Sequence, residues 1–574
     1  TGTPVNGTLS LNITNILDSF GNALTTTAFS YTTDITSPGY TVSNPSTGTM
    51  VNTLPSIQIN YTEPMLDAGN SANYTLSGAG TGSLAVNTVT ALGGNAFRLN
   101  FSGTISNGTV NITLAANIRD NAGNPPASNS FSLTGDIIAP TQTSNPVARK
   151  AIGNSLTSIT FTFSEPVLSA SNSANYTFSG PGAGTLAVAS INTVSSSIYQ
   201  INLTGTPAQG VFTVTLANIT DIAGNALSGT TLTLVAGYSK YRRINILNSG
   251  ITGALTNFPV AVIVNASRID YSAMQANGID IAFYDNETEG FNKLSHEIEH
   301  WNAAGNSLIW VRVPSITANS NADFFYMYYG NPSGTDSQNA SAVWDNNFRA
   351  VHHFNKPATT SQTDSTSYAH NAVPGGMVTG TLVNTPLGLG LNFDGIDDML
   401  TIADTANLRF TGNLTISMWV NWNSAPLGTA PLVEKGGITG IDDDDNYSFF
   451  LKNVSPGRMS IEFMDNTSNL RSFSQGSQTV NTGSWVHLLF RYNGTNIRFY
   501  QNGALQDEFP AAYTLKNTIT LPLLIGRNNN GGVNYFFNGI MDEVRISSTP
   551  RTAAWAEAEY KSGADTYLSY GPEL

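Results

Sequence analysis

Hydrophobic and polar residues alternate with period two through short runs that are broken by clusters of Gly, Asn and Pro. That period predicts half-buried strands, and turn signals at regular spacing predict antiparallel sheets. The segments 158–163 and 212–216 are examples. The longest apolar runs, 259–264 and 324–329, are strand-sized, well short of the ~18 residues that a membrane-spanning helix needs. No membrane span is expected in this chain.

The strands fall into repeats. Ile16-Leu17-Asp18-Ser19-Phe20-Gly21-Asn22, Ile118-Arg119-Asp120-Asn121-Ala122-Gly123-Asn124 and Ile219-Thr220-Asp221-Ile222-Ala223-Gly224-Asn225 are one motif, recurring at intervals of about 100 residues. Thr62-Glu63-Pro64-Met65 and Ser164-Glu165-Pro166-Val167 precede the later two copies at matching distance, and the first copy lacks this front half. Asp-x-x-Gly-Asn reads as a turn, in which Asp and Asn bond local backbone and Gly supplies positive φ. The alternative is a metal site built from Asp120 or Asp221 with Glu63 or Glu165.

Motif and register resemble the bacterial Ig-like domains of S-layer and other large surface proteins. The resemblance implies a stalk of β-sandwiches: the back half of a repeat at 1–37, then whole repeats at 38–140 and 141–236. Half a sandwich leaves unpaired edges and an exposed apolar face. Residues 1–37 are therefore expected to be completed by upstream sequence or by strands of another subunit. The opening Thr-Gly-Thr-Pro, without Met or a signal pattern, fits a processed or cut start.

After Gly237 aromatic and charged residues become denser, marking a further domain at 237–346. Its strand-like segments, among them 258–264, 308–313 and 324–329, resemble an uncharacterised β-rich domain of microbial surface proteins that commonly precedes a laminin-G-like module. Within it His296-Glu297-Ile298-Glu299-His300 matches the H-E-x-x-H zinc expression, which works on a helix, where i and i+4 share a face. Here the period is two, and on a strand the two histidines would lie about 13 Å apart. The expectation is a strand with no zinc on that histidine pair. Glu297 and Glu299 would share a solvated or ion-paired face, with Arg312 as the available cross-strand cation.

From 347 to 574 the order of Val351-His352-His353-Phe354, Leu391-Asn392-Phe393-Asp394-Gly395, the 414–420 run, Trp485-Val486-His487, the Asn502-Gly503 turn and Asn538-Gly539-Ile540-Met541-Asp542-Glu543-Val544-Arg545 resembles a laminin-G-like, concanavalin A-like jelly roll. Asn-Gly between strands is the signature of a type I′ hairpin. Relatives of that fold often hold a structural calcium with one early and one late acid, which the resemblance carries to Asp394 and Asp542. Hard oxygen donors at loop ends suit calcium, and an ordinary turn at Asp394-Gly395 is the alternative. Asp442 to Asp445 form a second acidic run. Trp419 and Trp485 read as core, whereas Trp422 and Tyr535 are the aromatic ligand-binding candidates.

Composition narrows the function. The 574 residues suggest about four domains. Charged residues are 11% and hydrophobic residues 40%, with Asn, Thr, Ser and Gly in place of the missing charge, which suits packed cores rather than disorder. The net charge of −14, without a basic run, argues against nucleic acid as a partner. The absence of cysteine excludes disulfides, thiolate zinc sites and cysteine nucleophiles. No E-x-D-x-E strand supplies paired catalytic acids to the jelly roll. The resulting expectation is an all-β, non-catalytic, extracellular cell-surface protein whose jelly roll binds a glycan or a surface protein, with calcium as a structural ion. A subunit of an S-layer or filament, pairing with copies of itself through strand complementation, is the alternative. A glycoside hydrolase is the third.

Overall fold

The computed structural model describes all residues except 1, 26, 287–290, 379, 425–427, 438–444, 453–456, 477–479 and 531–532. Asp442, Asp443 and Asp444 therefore lie outside the described residues. Among the described residues the regular structure is nearly all β, with short 3-10 turns and two α-helices, Ala340–Val343 and Ala553–Gly563. It divides into two compact units, Thr1–Arg149 with Asn154–Ala236, and Lys150–Gly153 with Gly237–Leu574.

The first unit contains two β-sandwiches of like topology. In the first, one sheet runs Tyr40–Ser43, Ser56–Tyr61, Ala96–Ser102, Ala85–Gly93, and the facing sheet runs Met50–Val51, Ser130–Gly135, Gly108–Leu114, Tyr74–Ser77. Alternation decides what is buried: Ile57, Ile59 and Tyr61 from one sheet meet Val110, Ile112 and Leu133 from the other. The second sandwich repeats the pattern with Gln142–Asn145, Ser158–Phe163, Ile198–Thr204 and Ala187–Ser195 facing Tyr176–Ser179, Gly210–Leu216 and Thr231–Ala236.

Each Asp-x-x-Gly-Asn motif closes as a turn. Asp120 Oδ1 accepts from the backbone N–H of Ala122 and Asn124, and Gly123 takes φ +97°. At the N-terminus only the equivalent hairpin is present, Gly7–Ile13 paired with Thr27–Thr33. Its Leu9, Leu11 and Tyr31 are 55–60% exposed, whereas Val110, Ile112 and Leu133, at the same register in the complete sandwich, are at most 1% exposed.

The second unit holds two cores. Leu255–Val264, Ser307–Ile316 and His296–His300 form one sheet of the middle domain, and Lys293–Leu294, Ala282–Tyr284, Phe324–Tyr329, Lys240–Ile246 and Leu568–Glu573 form the other. The last strand of the chain thus belongs to the middle domain. The expected boundary at 346 is corrected accordingly: Trp344, Phe348, Val351, Leu387, Trp419, Trp555 and Tyr567 pack into the core formed by 244–327. The helix Ala553–Gly563 lies on the same surface, its Ser562 Oγ accepting from Ala261 N–H at 2.8 Å.

The remainder is a two-layer jelly roll. Its first sheet is ordered Leu382–Thr385, Gly388–Asp394, Asn538–Ser547, Asn413–Ser424, Val486–Asn493, Asn496–Gln501, Ala504–Pro510, with Phe348–His352 also on Asn538–Ser547. The second is ordered Val373–Gly375, Met399–Ile402, Leu523–Ile525, Thr429–Lys435, Tyr447–Lys452, Arg458–Met464, Leu470–Ser474. Asn502 and Gly503 both have positive φ, 49° and 77°, as a type I′ turn requires.

Candidate functional site

The strand His296–His300 carries no helix, and its register slips once, between Ile298 and His300. Glu297 and Glu299 both point into the seam between the middle domain and the jelly roll. There they meet His353, just past the strand Phe348–His352, and Glu543 and Arg545 from the central strand Asn538–Ser547. His353 Nδ1 lies 2.6 Å from Glu543 Oε1 and 3.3 Å from Glu299 Oε2, and its Nε2 lies 3.4 Å from Glu297 Oε2. Trp310 Nε1 donates to Glu299 Oε2 at 2.6 Å, while Trp344 Nε1 at 2.8 Å and Ser365 Oγ at 2.5 Å donate to Glu297. Arg545 reaches Glu543 and Glu559 and stands over the Trp310 ring, 4.3 Å from its centroid. Of the two expectations, a solvated or an ion-paired face, the face is ion-paired, and its cation is His353 rather than Arg312: Glu299 is buried and Glu297 largely so, and their other partners are two indoles and a serine.

Burial sets the electrostatics of this cluster. It pushes Glu299 well above its ordinary value, and the neighbouring charge of Glu543 adds to the shift. Asp542, fully buried beside Glu543, moves the same way. For Glu543 burial is outweighed by His353 and Arg545, which hold it down to about 2. For His353 burial is likewise outweighed, by Glu543, Glu297 and Glu299, which lift it well above the ordinary imidazole value.

The second notable surface is the outer face of the jelly roll's second sheet. Tyr447, Phe449, Ile461 and Phe463 point inward to the core, so their neighbours point outward. Register then aligns Glu434, Ser448, Glu462 and Ser472 in one row across four strands. Phe450, Ser460 and Ser474 form the adjacent row. Asn528 Nδ2 donates to Glu434 Oε1 at 2.6 Å and to Ser448 Oγ at 3.1 Å, and Ser472 Oγ donates to Glu462 Oε1 at 2.8 Å. The row is buried at Glu434 and open at Ser472.

Several residues singled out from sequence are placed differently. Leu391 pairs with Met541 and Asp394 with Asn538, so Asp542 sits four positions along from Asp394, about 13 Å away, and the two cannot share one calcium. Asp542 instead accepts from Thr385 Oγ1. Asp394 is grouped with Asp397 and Asp398, although its Oδ1 already accepts from Ile396 N–H. Trp422 is completely buried, its indole N–H donating to Asn481 O at 3.0 Å, which corrects the expectation of an exposed platform. Tyr535 is half-buried on the hairpin Arg527–Asn530 with Val533–Phe536.

In the first unit Asp120 does approach Glu63, together with Asp34, and Asp221 approaches Glu165, together with Asp136. Loss of solvent and the neighbouring acids raise Glu63 and Glu165. Sequence reasoning missed His353, Glu543, Arg545, Glu434 and Asn528. The one available signal was the run of charge at 542, 543 and 545 within a strand buried along most of its length.

Residues 394–556 match the concanavalin A-like lectin/glucanases superfamily. Residues 277–369 match a domain of unknown function, DUF2341. The concanavalin A-like match covers strands of the polar row and the seam strand Asn538–Ser547, whereas His353 falls within the DUF2341 match. No curated protein matches the chain. Among solved structures, domain 4 of the extracellular arabinanase AbnA from Geobacillus stearothermophilus, in complex with arabinotriose, is 17% identical, covers 37% of this chain and 96% of its own, and has a TM-score of 0.29. The CBM40 of a Ruminococcus gnavus sialidase, bound to α2,3-sialyllactose, is 13% identical over 30% of this chain and 96% of its own, with a TM-score of 0.25. The binding domain of Paraclostridial Mosquitocidal Protein 1 is 14% identical over 38% of this chain, which spans 52% of that one, with a TM-score of 0.30.

Proposed function

We propose that this is a non-catalytic, extracellular cell-surface protein whose β-sandwich repeats serve as a stalk and whose concanavalin A-like domain binds a glycan. The polar row Glu434, Ser448, Glu462 and Ser472 carries the reading. Carboxylate, hydroxyl and amide groups set side by side over an apolar sheet suit the paired donors and acceptors of sugar hydroxyls.

The test is a glycan array with the full chain, followed by titration calorimetry on the best ligand. Glu462→Ala with Ser472→Ala, at the open end of the row, should weaken binding at least tenfold; unchanged affinity, or no glycan bound at all, overturns the reading. The same samples are assayed for new reducing ends, and hydrolysis would make the protein an enzyme acting through Glu434 and Glu462. A structural calcium belongs to the same proposal, with Asp394, Asp397 and Asp398 as its ligands. EGTA should then lower the melting temperature of the wild-type chain and leave Asp397→Ala unaffected.

The exposed apolar hairpin supports a second reading, a filament or S-layer subunit assembled by strand complementation. A concentration-dependent mass beyond the monomer favours that reading, and a monomer at all concentrations removes it.

A further inference from the structure

The seam gathers five acidic side chains. Glu297, Glu299, Asp542, Glu543 and Glu559 are all buried or nearly so, and among the described residues their ion-pair partners include His353 and Arg545. Two oxygens stand out. Among the described residues no group donates a hydrogen bond to Glu299 Oε1 or Asp542 Oδ1, both completely buried. A buried carboxylate oxygen without a donor is costly, and either a proton or a bound cation removes that cost.

We propose that Glu299, His353 and Glu543 bind a divalent transition-metal ion of the zinc or manganese class at this seam. Their ligand atoms all lie within 4.8 Å of one another, and bonds of about 2.1 Å draw donors to within about 4 Å. The surrounding contacts are those that orient ligands around an ion. Glu297 Oε2 faces His353 Nε2 at 3.4 Å, which leaves Nδ1 turned toward Glu299 and Glu543. Trp310 N–H fixes Glu299 through Oε2, and Arg545 Nε fixes Glu543 through Oε2 at 3.2 Å. Each ligand is thus held from outside by a different donor or acceptor.

An imidazole nitrogen among carboxylates selects transition metals over calcium. The ligands come from the middle domain, from the residue after the first jelly-roll strand and from the central jelly-roll strand, so the ion would clamp the seam. The site is distinct from the His296 and His300 pair, which lie at opposite ends of one strand.

The experiment uses the full chain without a polyhistidine tag, produced in medium supplemented with zinc and manganese and dialysed against metal-free buffer. Elemental analysis should find about one zinc or manganese per chain. Prolonged dipicolinate treatment should remove it and lower the melting temperature, and the lost metal should restore that temperature. Glu299→Gln keeps an acceptor for Trp310 N–H and removes the charge, so it should fold and retain less than a tenth of the ion. A wild-type chain that folds without zinc or manganese, or a Glu299→Gln chain that retains as much as wild type, overturns the proposal. If Glu299→Gln does not fold, the wild-type metal content decides alone.

Discussion

Lys240 Nζ lies 2.8 Å from Glu573 Oε1, so the first strand of the middle domain is ion-paired to the next-to-last residue of the chain. The pair crowns a strand ladder in which Ile244 faces Tyr570 and Ile246 faces Leu568. Just before that ladder, Tyr567 is completely buried and its hydroxyl donates to Asn248 Oδ1 at 2.7 Å. The half-buried ion pair, still open to solvent, contributes little; the packing beneath it contributes more. Tyr567→Ala should destabilise the second unit by about 3–5 kcal/mol, and deleting residues 565–574 should abolish its cooperative transition. Thermal unfolding monitored by near-UV circular dichroism checks both, and a truncated chain that melts like wild type would show that the middle domain does not need its C-terminal strand.

Trp422 sits in phase with Met418 and Val420, all three completely buried between the jelly-roll sheets. Trp422→Ala should therefore act on stability, by about 3–5 kcal/mol, rather than selectively on ligand affinity. Glycan affinity measured well below the melting temperature should stay near wild type. A variant that keeps its stability and loses only binding would place the indole in the ligand site instead.

That residue illustrates what was legible in the sequence. The strands, the Asn502-Gly503 turn, the sandwich repeats and the jelly roll could be read because period two and turn chemistry act locally. The burial of Trp422 was legible too, since it follows the even-numbered core positions of its own strand; proximity to a loop was the wrong guide. The distance between Asp394 and Asp542 was not, because it depends on cross-strand register rather than on strand order. Nor was the Glu299, His353 and Glu543 cluster, whose members come from segments far apart in sequence. The return of 568–573 to the middle domain is hidden for the same reason.

Asp404 bridges two cations, accepting from Arg409 Nε at 3.0 Å and lying 2.7 Å from Lys435 Nζ, whose side chain is fully buried. The Arg409 hydrogen bond is the largest influence on Asp404 and, together with Lys435, holds it down to about 2. A carboxyl depressed in the folded state stabilises above its unfolded value, here 3.8, and loses that contribution as pH falls through the folded value. Wild type should thus lose stability between about pH 4 and 2 at this site. Asp404→Asn should be destabilised by about 3 kcal/mol near neutrality because Lys435 is left without its counter-charge, and the difference from wild type should close toward pH 2. Denaturant titrations at pH 7, 4 and 2.5 measure it; a gap that stays constant with pH would assign the loss to packing.

Leu11 and Ile112 occupy the same register of equivalent hairpins, yet one is 55% exposed and the other completely buried. Truncating a buried aliphatic side chain removes its transfer free energy and leaves a cavity, whereas truncating an exposed one removes neither. Ile112→Ala should cost about 2–5 kcal/mol and Leu11→Ala less than about 0.5 kcal/mol in a dilute monomer. Both positions carry an aliphatic side chain at the same register of equivalent hairpins, so the comparison isolates the facing sheet. Calorimetry of the full chain at low and high concentration, alongside its solution mass, supplies the readout. If Leu11→Ala becomes costly only as concentration rises and mass increases with it, another copy covers the hairpin and the filament reading gains its interface. If Leu11→Ala is costly in the dilute monomer, the face is covered from within this chain, and strand complementation between subunits is no longer needed.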